Sequence, residues 1–312
     1  MGIAKAAAKF LLNEASRRPF GGRLLTLGRQ DIVFSFKTLQ KMAREFNIQL
    51  CNTEVALSQK PEAAAKGYIS DDCFFEASGF SECKTLDYSD FESADVILDL
   101  NSSEIDQHLL EAFDVIIDGG TTEHIFHIPN VLNNIYKMVR QNGRVIHMSP
   151  SSNHIDHGFY MFSPTLFWDF YAANKFEINK FHMYRATLRY DADPWEISDY
   201  TPGCLGRVGV GGLDDGTYGI FCVVTKRPAS TGDVVPQQGL YLERWRVAVK
   251  PDGQEGIAET SSVSDHSKLR VVAQAVRHFP ALYRVLRTVY IIVHRFVRSR
   301  RRGLRLKVIA RY

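Results

Sequence analysis

Short apolar runs alternate with segments whose apolar positions recur every three or four residues through the first 180 positions. This alternation predicts a parallel sheet with crossover helices rather than an all-β or all-α fold. A lead-in helix covers residues 1–20, and a first strand follows at "RLLTLG" (23–28). The helix after it, 35–47, sets Phe36, Leu39, Met42, Ala43 and Phe46 on one face. "DDCFFEASG" reads as a short helix capped by Asp71 or Asp72 and ended at Gly79. Strands are expected at 82–89, 94–101 and 113–120, each ending in an acidic residue followed by polar residues or glycine. A helix over 129–143 has Pro129 in its first turn and Gly143 past its end. Strand 144–150, helix 163–176 opening on Ser163 and Pro164, and strands 177–190 and 218–228 complete the pattern. The last two strands have no helix between them, which permits an antiparallel pair at one sheet edge. The predicted fold is thus α/β: a doubly wound, mostly parallel, seven-stranded sheet with an antiparallel last strand.

Past residue 228 the pattern changes. Residues 229–266 are rich in Ser, Thr, Gly, Gln and Asp, interrupted by "LYLERWRVAVK", and read as a linker with one extra strand at most. Residues 267–312 read as a basic, amphipathic, α-helical tail divided at Pro280, with Leu282, Leu286, Val289, Val293 and Phe296 on one face. The α/β domain is therefore expected over 1–228, with 190–217 as a loop capping its site.

Composition sharpens this picture at three points. A chain of 312 residues, 45% hydrophobic, is long enough to bury a full core. The five cysteines form no CxxC pair, which points to neither a disulfide framework nor a cysteine zinc site and fits a reducing cytoplasm. No secretory leader is expected, because Lys9 and Asn13 break the apolar run near the start. The net charge of +3 conceals a strong asymmetry: residues 267–312 hold 13 Lys and Arg and no Asp or Glu, leaving 1–266 with 25 basic against 35 acidic residues, a net of −10. Such a tail is expected to meet an anionic membrane surface through 281–302, at the inner face of the membrane, or to pack on the acidic body. The stretch between Arg287 and Arg300 is too short and too charged to span a bilayer. No base-reading motif accompanies it, so no nucleic-acid partner is expected.

Candidate chemistry gathers at strand ends. Ligands of open parallel sheets bind at the carboxyl ends of the strands, where Asp87, Asp99 and Asp118 would meet beside the Gly28 turn. Any one of these aspartates could equally be a turn or cap residue. Histidines 124, 127, 147, 154 and 157 crowd the same rim, and a neutral imidazole there can take a proton from a hydroxyl. His124, His154 and His157 are the candidates for that role. "SPSSNHIDHGFYMFSP" also has the residue types of a metal site in His154, Asp156 and His157, but the spacing is no known zinc signature and no metal is expected. The glycine-rich 203–216 lacks GK[ST] and is not a phosphate loop; Trp195 and Tyr200 nearby are expected to stack on a sugar or aromatic acceptor.

The segments "LLTLGRQ", "TLDYSD", "ADVILDLN", "FDVIIDGGTTEHIF", "LNNIYKMVRQNGRVIHMSP" and "FSPTLFWDFYAANKFEI", across residues 23–225, resemble the class I S-adenosylmethionine-dependent methyltransferases. Their order carries the likeness: an "FDVI" strand, a polar turn with Glu-His, a helix, and "NGRVI". The pieces "DLN" and "HGFYMFSP" resemble bacterial members among polysaccharide and natural-product tailoring enzymes. The resemblance implies S-adenosylmethionine as cofactor and methyl transfer to a small, sugar-like acceptor. It implies Leu27, Gly28 and Arg29 along the methionine moiety, Asp87 on the ribose, Asp99 and Leu100 at the adenine, and Asp118 and Gly119 at the turn beneath the sulfonium. The chain departs from the family in its first turn, where one glycine stands in place of a glycine-rich loop. That departure opens a second reading, a non-catalytic binding or scaffold protein that keeps the sheet and has lost the cofactor. Metal-dependent hydrolysis is a third.

Overall fold

A computed structural model of the chain describes residues 2–206, 208, 211–248 and 306–312. They divide between two compact units: 1–202, 215–237 and 307–312 in one, and 203–214 with 238–306 in the other.

The first unit is built on a nine-stranded sheet. In chain order its elements are β1 (Gly2–Ile3), α1 (Lys5–Arg17), β2 (Arg23–Leu27), β3 (Asp31–Ile32), α2 (Phe36–Glu45), α3 (Pro61–Ala65), α4 (Asp71–Ala77), β4 (Glu82–Asp87), β5 (Val96–Ile97), β6 (Phe113–Asp118), α5 (Ile128–Met138), β7 (Val139–Ser152), α6 (Pro164–Ala173), β8 (Glu177–Ala186), β9 (Glu196–Asp199), β10 (Thr217–Thr225) and β11 (Val308–Arg311). The sheet order is β11-β9-β8-β10-β7-β6-β2-β4-β5, while β1 and β3 pair separately. From β5 to β7 all neighbours are parallel, and β10 is antiparallel to both β7 and β8. This is the doubly wound, mostly parallel sheet that the pattern predicts, with its last long strand reversed. That strand inserts between β7 and β8 instead of lying at the edge. Two short antiparallel strands, β9 and β11, extend the sheet beyond β8.

Burial explains why these segments fold as they do. Strands β6 and β10 carry unbroken apolar runs, and each is buried along most of its length, as parallel or central strands are. Helix α1 is more than a lead-in. Phe10 stacks on Phe221 at 4.2 Å, and Phe10, Leu11 and Leu12 are buried, each worth roughly 2 kcal/mol of apolar transfer. Its buried Glu14 accepts from Arg144 at 3.1 Å and pairs with Lys180 at 2.7 Å, anchoring the helix across the sheet.

Several boundaries differ from the pattern. Ser70, not Asp71 or Asp72, caps α4, its hydroxyl accepting from the Cys73 N–H. Helix α5 stops at Met138, and β-branched Val139 already pairs with Phe113 of β6. Gly143 lies within β7, where a Cβ would stand 2.7 Å from Val139 Cγ2 and 2.8 Å from the Arg140 carbonyl. "LYLERWRVAVK" contains a helix, α7 (Gly239–Ala248), rather than a strand, and it belongs to the second unit. Residues 308–311, expected within a helical tail, form strand β11, held by Tyr312 N–H to the Trp195 carbonyl at 3.1 Å and the reverse bond at 2.9 Å. The predicted helices of 267–305 and the membrane segment 281–302 lie outside the described residues. Among the described residues no helix is long and apolar enough to cross a membrane.

Candidate functional site

The sheet reverses its winding between β2 and β6, so the crevice at the carboxyl ends of these strands is where such folds bind ligands. Gly28 leaves β2 with φ +71, a conformation costly for residues with a side chain, and its N–H reaches the Leu86 carbonyl of β4 at 2.7 Å. A Cβ there would stand 2.6 Å from Thr121 Oγ1, which itself donates to the Leu27 carbonyl at 2.5 Å. The single glycine is thus required by the turn and by the close approach of the loop after β6.

The next two residues fill the space that additional glycines would leave open. Arg29 turns away from the crevice and clamps the far side of the loop. Its guanidinium meets Asp71 at 3.1 Å and Asp72 at 3.5 Å, and donates to the Glu92 and Ser93 carbonyls at 2.8 and 3.0 Å. These contacts engage at most four of the five N–H groups of the guanidinium. Gln30, which sequence reasoning did not single out, is 4% exposed. Its amide donates to the Leu27 and Gly28 carbonyls at 3.2 and 3.0 Å. Its Oε1 is buried without a hydrogen-bond partner and lies 2.3 Å from where a Cβ on Gly119 would stand. Gln30 thus packs directly against Gly119 at the end of β6, close enough that only glycine fits there. The signal for Gln30 was its place two residues past the lone glycine, where a cofactor loop normally carries no bulk.

The strand-end aspartates part company. Asp87 stays half-exposed at the end of β4, its Oδ1 accepting only from the neighbouring Tyr88 N–H among the described residues. Asp99 is exposed and wraps its own turn, accepting from the Asn101 N–H and side-chain amide at 2.9 and 2.8 Å. Leu100 is buried, and its carbonyl accepts from Asn134 of α5. Asp118 is fully buried and points inward. It accepts from the Thr121 and Thr122 N–H groups, from the Thr122 hydroxyl at 2.6 Å and from Ser149, and it meets His147 Nδ1 at 2.8 Å. Burial alone would raise its pKa, but the bonds from His147 and Thr122 outweigh it and hold the carboxyl at about 2. His147 Nε2 in turn meets the Tyr171 hydroxyl at 2.6 Å. The row resembles a catalytic relay, yet none of its members reaches solvent. Asp118 therefore anchors the turn after β6 from inside.

That anchoring carries the next three residues to the rim. A 3-10 turn, Thr122–His124, places Glu123 inward and His124 outward. The loop after β7 lies on this turn: the Tyr160 N–H donates to the Glu123 carbonyl at 3.2 Å, and a Cβ on Gly158 would meet that carbonyl at 2.9 Å. His157 is thereby brought to 5.1 Å from His124, ring to ring. Glu123 Oε1 lies 3.5 Å from His157 Nε2 and 3.9 Å from His124 Nε2, and both Glu123 oxygens are buried without a hydrogen bond. Burial and the Asp118 charge push the Glu123 carboxyl up to about 8. Burial lowers His124, His154 and His157, so all three are biased to the neutral form. His154 stands 5.8 Å from His157, with its Nε2 buried and unpartnered, while Asp156 is an exposed turn residue at φ +66. The acidic member of the cluster is thus Glu123 and not Asp156. Exposed Phe126 and Phe159 pack edge to face at 5.7 Å beside it, with Ile155 and Met161 also exposed.

Trp195 and Tyr200 are not part of this surface. Trp195 is 2% exposed, stacked on Tyr184 at 4.5 Å with its indole N–H on the Tyr190 carbonyl, and Tyr200 is buried against Phe181. Both are core residues of the extended sheet edge, where β9 turns "DADPWEISDY" into structure instead of an open cap.

No protein-family model and no curated protein matches the sequence. Solved structures that match include the YcgJ protein of Bacillus subtilis, at 11% identity over 70% of this chain and 98% of that one, TM-score 0.35. A geranyl diphosphate methyltransferase bound to S-adenosylmethionine matches at 11% identity over 71% and 84%, TM-score 0.36. A phosphoethanolamine N-methyltransferase of Haemonchus contortus bound to S-adenosylhomocysteine matches at 16% identity over 72% and 54%, TM-score 0.35. At scores of this size the likeness carries no functional weight, and the reading of the site rests on its own geometry.

Proposed function

We propose that the chain transfers a methyl group from S-adenosylmethionine to a hydroxyl oxygen of a small acceptor. The observation that carries this reading is the convergence of Glu123, His124 and His157 at the sheet rim that also holds the Gly28 turn and Asp87. The half-exposed Asp87 carboxylate suits the paired hydroxyls of a ribose. The orphaned Gln30 Oε1 suits an ammonium, such as that of a methionine moiety lying along Leu27, Gly28 and Gly119. When bound, the cofactor supplies a methyl group activated by a positively charged sulfur. The chain's own share is orientation and proton uptake: neutral His124 and His157 accept the hydrogen bond of the acceptor hydroxyl and take its proton. Phe126 and Phe159 offer an apolar wall, which fits the carbon face of a sugar ring.

Titration calorimetry with S-adenosylmethionine tests the reading. Binding is expected, and Asp87→Ala should weaken it tenfold or more, about 1.4 kcal/mol. Absence of heat at millimolar cofactor would overturn it. In that event a second reading, a scaffold that has given up the cofactor, is favoured by the buried Gln30 side chain, which folds back on the Leu27 and Gly28 carbonyls of the turn.

A further inference from the structure

Glu123 poses a physical problem that methyl transfer does not answer. A carboxylate with both oxygens buried and no hydrogen bond loses its hydration without replacement, a cost of several kcal/mol if it is charged. The Thr122–His124 turn nevertheless holds it there, and the loop of His157 is tied down over it. Two imidazole nitrogens stand close to its Oε1, at 3.5 and 3.9 Å. These three ligand atoms all lie within 4.8 Å of one another, and theirs is the one such group of three or more among the described residues.

We infer that Glu123, His124 and His157 form a binding site for a divalent cation of the zinc type. The donor set decides the class of ion. Two imidazoles and one carboxylate are borderline ligands that favour zinc over calcium or magnesium, which take all-oxygen shells. Distance supports the same choice. Ligand atoms about 2.1 Å from a tetrahedral zinc stand about 3.4 Å apart. The Glu123–His157 separation of 3.5 Å already matches this, and the 3.9 Å to His124 closes with a small rotation of a side chain that is 44% exposed. Three protein ligands leave a fourth position open toward the exposed His124 side, the arrangement of catalytic rather than structural zinc sites. The cluster's supports resemble the outer shell such sites require. Asp118 fixes the turn through the Thr121 and Thr122 N–H groups, Gly158 admits the loop without a side chain, and Tyr160 clamps it by its N–H on Glu123 and its hydroxyl on the Phe126 carbonyl at 2.7 Å. Glu123 and His124 are adjacent and His157 lies in another loop, a spacing that no short zinc signature describes.

Cation binding stands independently of methyl transfer; its use does rest on that reading. With the ion loaded, His124 and His157 would serve as ligands instead of bases, and the cation would make an acceptor hydroxyl in the open position more acidic, so that its proton would pass to solvent water on the exposed His124 side.

The test uses the full chain, stripped with chelator and titrated calorimetrically with Zn2+, in parallel with elemental analysis of protein purified without chelator. One equivalent of Zn2+ per chain is expected, with micromolar or tighter affinity. Glu123→Gln keeps the side chain's shape and should weaken Zn2+ at least tenfold, as should His157→Ala, while His127→Ala just outside the cluster leaves affinity unchanged. Circular dichroism and thermal melts establish that each variant is folded. Failure of the wild type to bind at millimolar Zn2+, or binding untouched by Glu123→Gln and His157→Ala, overturns the inference. S-adenosylmethionine binding, measured on the same samples, separates the two readings. Cofactor without zinc sinks the cation site alone, and zinc without cofactor sinks methyl transfer alone.

Discussion

At the scale of single residues, Asp118 shows how a strand-end carboxylate can be decisive without touching a ligand. Its oxygens collect the turn after β6, His147 and Ser149, and that turn in turn aims Glu123 and His124. The carboxyl is held at about 2, below the ordinary 3.8, so its ionised form contributes stability that is fully present above pH 4 and is lost as pH falls through about 2. The difference is worth roughly 2 kcal/mol. Asp118→Asn should therefore destabilise the chain by roughly 2–4 kcal/mol at pH 7, because an amide N–H would face the donors the carboxylate now receives. The gap between variant and wild type should narrow between pH 4 and pH 2. Urea melts at pH 7, 4 and 3 measure both, and a gap that stays constant with pH would mean the Asp118 charge is not what holds the turn. Asp87, Asp99 and Asp118 look alike in the sequence because each follows an apolar run. Only the third dimension distinguishes a carboxylate that receives five protein donors from one left at the surface.

At the scale of elements, the long strands and the helices with strong faces were legible, and the short edge strands were not. Ser35 and Ser163 mark the starts of α2 and α6, and Leu39, Met42 and Ala43 are the buried face of α2, as their spacing dictates. Strands β9 and β11, four residues each, owe their conformation to pairing across a long sequence separation, which no local pattern encodes. The same gap in local information hid the burial of Trp195. It hid the cluster of Glu123 with His157 as well, since these meet only because β6 and β7 are neighbours. Strand β11 is the element whose removal tests this account. Deleting Val308–Tyr312 strips the edge from β9 and takes away the Tyr312 contact with Phe46 at 6.0 Å and the Arg311 pair with Glu196. The melting temperature is expected to fall by several degrees, corresponding to about 2 kcal/mol. Trp195, now 2% exposed, should gain solvent, seen as a red shift of tryptophan emission. Unchanged emission and melting would show that β11 merely lies against the sheet.

At the scale of the whole molecule, charge is divided more sharply than structure. The 13 basic residues of 267–312 face an excess of ten acidic charges in 1–266, and these two balances call for opposite partners. If the basic segment served only to offset the acidic body, the full chain would ignore anionic surfaces, because its strongest positive field would already be neutralised at short range. If 281–302 lies on a membrane, its apolar positions Leu282, Leu286, Val289, Val293 and Phe296 add hydrophobic burial to the attraction of arginine for anionic headgroups, about 1 kcal/mol for each charge near the surface. The second arrangement predicts flotation of the full chain with phosphatidylserine vesicles and little with phosphatidylcholine. Association should weaken steeply from 50 to 500 mM salt as the Debye length shortens. Arg284→Glu, Arg287→Glu and Arg298→Glu together should abolish it while leaving S-adenosylmethionine and Zn2+ titrations unchanged. Flotation indifferent to lipid charge, to salt and to these three substitutions would return the segment to its acidic body.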